Sequence, residues 1–264
     1  MEYFENRERA ESFGEVAADY DAYRPKYPAA LISTVMQAAE AGAGSGSGSG
    51  APRILDVGSG TGLLASQLKD AGAEVLAVEP DSEMAAIARA KDLKVEVSVF
   101  EDWDPQGRIF DLVCFGQSFH WVDPIIALPK IRSVLKAGGS LALAWNDIEP
   151  RGELKTRLDA ITARFHAEGS AASLGTAGAE DNFAHVEHPA LTQLRGAGFT
   201  PDEATFTEDL RFSRHDWLSM VFTYSAQLTM DPVKRAVMRE EMSKVIPNNG
   251  LKARNEALLV LAHA

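Results

Sequence analysis

Three glycines at alternate positions, Gly58, Gly60 and Gly62, punctuate the stretch LDVGSGTGLL, between an apolar run beginning at Arg53 and a helical pattern beginning at Leu63. Glycine allows a sharp strand-to-helix turn and a close approach of backbone to ligand, where N–H groups at a helix N-terminus stand free. About 20 residues beyond the turn, Glu79 closes a second apolar run, EVLAVE, and a carboxylate there can accept hydrogen bonds from both hydroxyls of a ribose. This is chemistry for holding a nucleoside. The dinucleotide fingerprint G-x-G-x-x-G would need a glycine where the chain has Leu63. The spacing is instead G-x-G-x-G with an acid, Asp56, just ahead of it.

The elements that must position these residues alternate along the chain. Apolar strands RILDVG, EVLAVE, KVEVSVF, FDLVCFG and SLALAWN are separated by helical stretches over Leu63 to Ala71, Ser82 to Ala90 and Pro124 to Leu135. The last helix has Asp123 as its N-cap and Gly138 as its stop. Strands apolar on both faces and separated by helices predict a parallel sheet covered on both sides. Ahead of them, Phe13, Val16, Ala17 and Tyr20 share one face of a short helix, and a second amphipathic helix runs from Pro28 through Ala39.

The expected organisation is a single domain over 1–264. Residues 1–40 form N-terminal helices, 41–52 a flexible loop carrying AGAGSGSGSG, and 53–146 the ligand-binding core. Residues 147–264 supply helical insertions and two short strands, EATFTEDLRF and ALLVLAHA. The two glycine-rich stretches differ in their flanks: only DVGSGTG is fixed between a strand and a helix and answered by an acid one strand later.

Composition narrows the function classes. The 264 residues are 45% hydrophobic and 24% charged, as in ordinary globular proteins. With 38 acidic against 26 basic residues, a net charge of −12 and no basic cluster longer than a pair, neither nucleic acid nor an anionic membrane is expected as a partner. The single cysteine, Cys114, lies in an apolar strand and reads as a buried thiol. The N-terminus has no signal-like pattern and no apolar run approaches a membrane span, so the reading is a soluble, cytoplasmic protein, monomeric or homodimeric.

Taken in order, DVGSGTG, VLAVEPDSEM, SVFEDW, FDLVCFGQSFHWVDP and VLKAGGSLALAWN resemble the motifs of the class I S-adenosylmethionine-dependent methyltransferases. YDAYRPKYP and FHW are most similar to the trans-aconitate methyltransferase-like, or methyltransferase type 11, branch. The resemblance implies an α/β, Rossmann-like fold with a mostly parallel seven-stranded sheet, a final antiparallel strand, helices on both faces and helical insertions forming a cap. It implies S-adenosyl-L-methionine as cofactor, S-adenosyl-L-homocysteine as product, no metal, and a small-molecule methyl acceptor.

The same resemblance assigns candidate cofactor contacts. Gly58, Ser59, Gly60 and Gly62 form the turn; Glu79, followed by Pro80, holds the ribose; Asp56 orders the turn or reaches the methionine amine. Met84 lies against adenine or ribose, Glu101 or Asp102 receives the adenine amino group, and Trp103 flanks the ring. Gln117 offers its backbone carbonyl to the methionine amine, and Tyr20 and Arg24 reach the methionine carboxylate. Met84 is equally readable as core, and Tyr20 and Arg24 as helix packing.

His120 is the one candidate for a catalytic base, against the simpler reading of a structural histidine at a turn. His166, His185 and His188 fall in the expected cap, and no spacing among them reads as a metal site. The acceptor pocket is expected between the first helix, His120, Trp121, Trp145, Asn146 and the insertions. Methylation of oxygen, nitrogen or carbon, including a carboxylate, is the expected activity. The alternatives are a non-catalytic S-adenosylmethionine-binding protein and, behind it, an NAD(P)-dependent oxidoreductase.

Overall fold

A computed structural model describes residues 11–42, 50–166 and 188–263. Most of the Gly/Ser loop and the segment holding His185 lie outside the described residues. A 3₁₀ turn, Glu11–Val16, leads into α1 (Ala17–Tyr23), and α2 (Ala29–Gly42) follows. The core then alternates: β1 (Arg53–Val57), α3 (Leu63–Asp70), β2 (Glu74–Glu79), α4 (Ser82–Ala90), β3 (Lys94–Val97), β4 (Phe110–Gly116), α5 (Pro124–Val134) and β5 (Leu135–Trp145). Beyond it come β6 (Ile148–Pro150), α6 (Glu153–Phe165), α7 (Pro189–Gly196) and β7 (Thr200–Phe212). The last elements are α8 (Arg214–Val221), α9 (Ser225–Leu228), α10 (Pro232–Val245) and β8 (Leu251–His263).

The sheet runs β3-β2-β1-β4-β5-β8, with β6 pairing one edge of β8 and β7 the other. Strands β1 to β5 pair in parallel, whereas β8 is antiparallel to β5, β6 and β7. This is the expected Rossmann-like sheet with its final reversed strand. The three-residue β6 makes it eight-stranded. So short a strand, with Pro150 at its end, leaves no periodic signal in the sequence.

Alternation along the core strands divides the interior. Leu55, Val57, Val113, Phe115, Leu141 and Leu143 pack on one face with Ile131 of α5 and Leu194 of α7. Ile54, Leu112, Cys114, Ala142 and Ala144 pack on the other with Leu31 and Val35 of α2 and Leu68 of α3. A third cluster belongs to the cap, where Leu158, Trp217, Met238 and Met242 are fully buried. The cap therefore has its own core and rests on the sheet through Ile148 and Ala253.

Two expectations of local structure change. The helix ahead of β5 stops at Val134, and Gly138 lies within β5, at φ +79, where the pairing with β4 shifts register between Phe110 and Leu112. Its left-handed backbone serves a strand irregularity rather than a helix stop. The C-terminal strands are each 13 residues long, because β7 and β8 pair over their full length.

One buried charge ties three strands together near their N-terminal ends. Asp111 at the start of β4 is 1% exposed; its Oδ2 accepts from Arg53 N at 2.8 Å and its Oδ1 from Lys136 Nζ at 2.6 Å. Asp111→Ala removes both acceptors and leaves a buried N–H unpaired. We expect it to lower unfolding free energy by about 2–4 kcal/mol in urea denaturation.

Candidate active site

The carboxyl ends of β1, β2, β4 and β5 open into a cavity of about 900 Å³, roofed by α1 and the cap residue Tyr224. Its floor is the glycine turn. Gly58 N and Ser59 N donate to Val78 O at 2.8 and 3.3 Å, which pins the turn to the end of β2. Gly60 N donates to Glu79 Oε2 at 2.7 Å, and Asp81 N to Glu79 Oε1 at 3.0 Å. The Glu79 carboxylate is thus fixed by two backbone donors before any ligand arrives.

The glycines have separate duties. Gly60, at φ +56, has no atom within 4 Å of where a Cβ would stand, so its open side faces usable space. Gly62, at φ +81, does not line the cavity; a Cβ there would fall 2.4 Å from Leu93 Cδ1 and 3.2 Å from Ala88 Cβ. Its expected contact with cofactor is replaced by close packing of the turn against α4. Lys91 adds a tie from α4, donating to Thr61 O at 2.9 Å and pairing with Asp21 of α1.

Two acids give the floor its electrostatics. Asp56 is fully buried, its Oδ1 accepts from the Cys114 thiol at 3.5 Å, and its Oδ2 has no partner among the described residues. Burial pushes its carboxyl up to about 7, the thiol opposes this, and the charge of Glu79 adds to the rise. Burial likewise lifts Glu79 to about 7 against its backbone N–H bonds. Such a floor suits a cationic or donor-rich ligand.

At one end of the cavity stand Pro80, Met84, Glu101 and Asp102, with Val97 and Ile126 as apolar walls. Glu101 Oε1 already accepts from Asp123 N at 2.9 Å, while the Asp102 side chain is exposed at the rim. Trp103 departs from expectation. β3 ends at Val97, so the chain turns before position 103 and buries the indole behind the wall, against Phe100 and Phe110. Trp103 Nε1 donates to Glu96 Oε2 at 2.5 Å, and the ring does not line the cavity.

At the other end are Tyr20, Arg24, Gln117, Asn146 and Tyr224. The Arg24 guanidinium lies 4.8 Å from the Tyr20 ring centre and 4.0 Å from that of Tyr224. It donates to Thr223 Oγ1 at 2.8 Å and Thr223 O at 3.1 Å. Burial raises the Tyr20 phenol, with Arg24 opposing. Gln117 holds a left-handed backbone, φ +59, with N–H to Ala144 O at 2.8 Å and Nε2 to Asn146 O at 2.9 Å.

His120 is not among the residues lining the cavity; its ring packs on Trp121 at 4.7 Å in the 3₁₀ turn Phe119–Trp121. The side chain that sequence singles out as a base is therefore set back from the reacting space. His188 caps α7, accepting from Ala190 N at 3.1 Å, and packs at a tilt against Trp145 with ring centres 4.4 Å apart; neither residue lines the cavity. His166 does not line it either. Among the described residues no group of His, Cys, Asp and Glu is arranged to hold a metal ion, and no helix is long and apolar enough to cross a membrane. Tyr27, Ser98 and Tyr224 line the cavity without having been singled out from sequence.

The raised carboxyls fix a pH response. A carboxyl that titrates near 7 when folded, against 3.8 ordinarily for Asp56, binds more protons in the folded state between those values, so stability falls as pH rises through that window. Urea denaturation of the ligand-free protein should show a falling midpoint from about pH 5 to about pH 8, and Asp56→Asn should flatten the fall.

Comparison with known proteins agrees with this geometry. Residues 55–143 match the family model described as a methyltransferase domain. An uncharacterized methyltransferase of Mycobacterium tuberculosis is 36% identical over 148 residues, which are 55% of this chain and 56% of the relative. One of Schizosaccharomyces pombe is 34% identical over 136 residues, 49% of this chain and 50% of the relative. The chain thus matches about half the length of these relatives. A structure of a candidate type II methyltransferase from Anaeromyxobacter dehalogenans superposes with a TM-score of 0.63 at 19% identity, covering 90% of this chain and 97% of that one. A Haemonchus contortus phosphoethanolamine N-methyltransferase, solved with S-adenosylhomocysteine, gives 0.50 at 14% identity, covering 99% of this chain and 59% of that one. Matched sequence over residues 55–143, the strand order and the glycine turn agree: this part of the chain is similar to a methyltransferase domain, on a Rossmann-like fold.

Proposed function

We propose that the protein binds S-adenosyl-L-methionine and transfers its methyl group to an oxygen, nitrogen or carbon of a small molecule, leaving S-adenosyl-L-homocysteine. The observation that carries this is the acid floor. Glu79 is held by Gly60 N–H beside the open face of Gly60, and the buried Asp56 Oδ2 still lacks a donor. The cofactor offers what the floor lacks: ribose hydroxyls for Glu79, and an ammonium for Asp56 and the Gln117 carbonyl.

The remaining residues divide by position. Met84, Pro80, Val97 and Ile126 enclose the adenine, and Asp102 takes its amino group, since Glu101 is engaged by Asp123 N. Tyr20 and Arg24 face the methionine carboxylate, with Thr223 and the two tyrosine rings fixing the guanidinium. The bound cofactor supplies a methyl group activated by its sulfonium. The chain's own work is to align the acceptor with that methyl and to keep water out, which is where most of the rate gain of an in-line displacement lies. A base is needed only where the acceptor must lose a proton, and an ionised carboxylate needs none, which accords with His120 standing outside the lining.

The cavity is large enough for both. At about 900 Å³ it lies near the upper end of ordinary small-molecule sites, about 300–1,000 Å³. This reading treats core and cap as one working unit, because Arg24 of the N-terminal segment is anchored on Thr223 of the cap.

Calorimetry tests it. The protein should bind S-adenosylmethionine and not NADH; the reverse would return the oxidoreductase reading. Glu79→Ala should weaken donor binding about 5- to 150-fold, equivalent to about 1–3 kcal/mol of charge-assisted hydrogen bonding. Asp102→Ala should weaken it more than Glu101→Ala. Transfer of a labelled methyl to a panel of small acids, phenols and amines checks catalysis, and tight donor binding without any transfer would favour a non-catalytic binding protein.

A further inference from the structure

The cavity end assigned to the adenine is gripped from behind by one lysine. Residues 98–102 line that end, where the chain turns instead of continuing β3. Trp103 N donates to Val99 O at 3.1 Å and closes the turn. Lys130 of α5 lines no part of the cavity, yet its ammonium donates to Glu101 O at 3.0 Å and to Trp103 O. Those carbonyls belong to the residues on either side of Asp102. The backbone of Asp102 is therefore held between two points that one cation fixes.

Helix α5 takes a second hold on the same turn. Asp123, its N-cap, stands seven residues before Lys130, about two helical turns away, and its N–H donates to Glu101 Oε1 at 2.9 Å. The Lys130 ammonium also lies 5.3 Å from the ring centre of Phe100 and 5.9 Å from that of Trp103. Burial lowers its pKa, while the charges of Glu101, Asp102 and Asp104 favour the ammonium. The carboxylate of Glu101 is thus engaged, whereas that of Asp102 makes no hydrogen bond among the described residues and stands exposed at the cavity rim. The turn is anchored around the one carboxylate left open to a ligand.

Anchoring matters for choosing between ligands more than for binding one. An ionised carboxylate only accepts, so it attracts an exocyclic amino group and repels a carbonyl oxygen at the same place on a purine. A mobile carboxylate would swing clear of the oxygen and lose the distinction; a fixed one keeps the repulsion. We propose that Lys130 is a positioning residue that, by fixing Asp102, makes the site select an amino-bearing purine over its carbonyl analogue. This rests on the methyltransferase reading and deepens it, since it names the residue behind the wall that sets base specificity for the donor.

The test is calorimetry on the full-length protein with S-adenosylhomocysteine and with S-inosylhomocysteine, which carries a carbonyl oxygen in place of the adenine amino group. The wild type should bind the adenosyl compound at least about tenfold more tightly, the worth of one hydrogen bond to a charged group. Lys130→Met should reduce that ratio about threefold or more, Lys130→Gln, too short to reach both carbonyls, should reduce it less, and Lys130→Arg should restore most of it. The ratio is the informative quantity, because both compounds bind the same folded protein and a general loss of stability would weaken them alike. In an Asp102→Ala background, Lys130→Met should leave the ratio unchanged, as expected of a residue that acts through Asp102. A wild-type ratio in both Lys130→Met and Lys130→Gln, or a fall that persists in the Asp102→Ala background, would overturn the role of Lys130. Equal binding of the two compounds by the wild type would overturn the selection itself while leaving the proposed function standing. Failure of both to bind the wild type would overturn the proposed function and this role with it.

Discussion

The site depends on one hydrogen bond, from Gly60 N to the carboxylate of Glu79. It joins the turn after β1 to the end of β2, and it requires a left-handed backbone with no side chain on the open face. A carboxylate held by two backbone N–H groups stays ordered within an apolar interior, where burial would otherwise disfavour its charge. The parallel sheet supplies the geometry, because adjacent parallel strands deliver their carboxyl ends, and so Asp56 and Glu79, to the same edge. The packing of α2, α3 and α5 against the sheet keeps those ends from separating.

The second constraint is the attachment of the cap. Its core of Leu158, Trp217, Met238 and Met242 is independent of the sheet's own clusters, yet Arg24 bridges the two through Thr223 and the rings of Tyr20 and Tyr224. Lys91 makes a parallel bridge from the glycine turn to Asp21 of α1. The N-terminal helix is thereby fixed on both sides, to the turn that forms the floor and to the cap that forms the roof.

What the sequence discloses is what is local. β2 and β4 run as their apolar patterns indicate, Asp123 caps α5, and the glycine turn meets Glu79 as their spacing led one to expect. What it conceals is long-range or subtle in register. Gly62 looks like its two neighbours in the motif, but only the approach of Leu93 shows that it serves packing. Trp103 follows an acidic pair, and one early turn after Val97 sends the ring into the core instead of the cavity. Arg24 and Thr223 stand 199 positions apart, and Asn146 meets Asn255 across strands whose pairing no periodicity specifies. His120 attracts attention by its chemistry, whereas its place in a 3₁₀ turn decides its exposure to the cavity.

The central claim is that the acid-floored cavity seats the methyl donor, with Glu79 at the ribose. A crystal structure of the protein with S-adenosylhomocysteine measures this directly. The account predicts both ribose hydroxyls on the Glu79 carboxylate, the adenine amino group at Asp102, and the methionine amine near Asp56 and the Gln117 carbonyl. A ribose bound away from Glu79, or a ligand lying outside the cavity above the glycine turn, would contradict it.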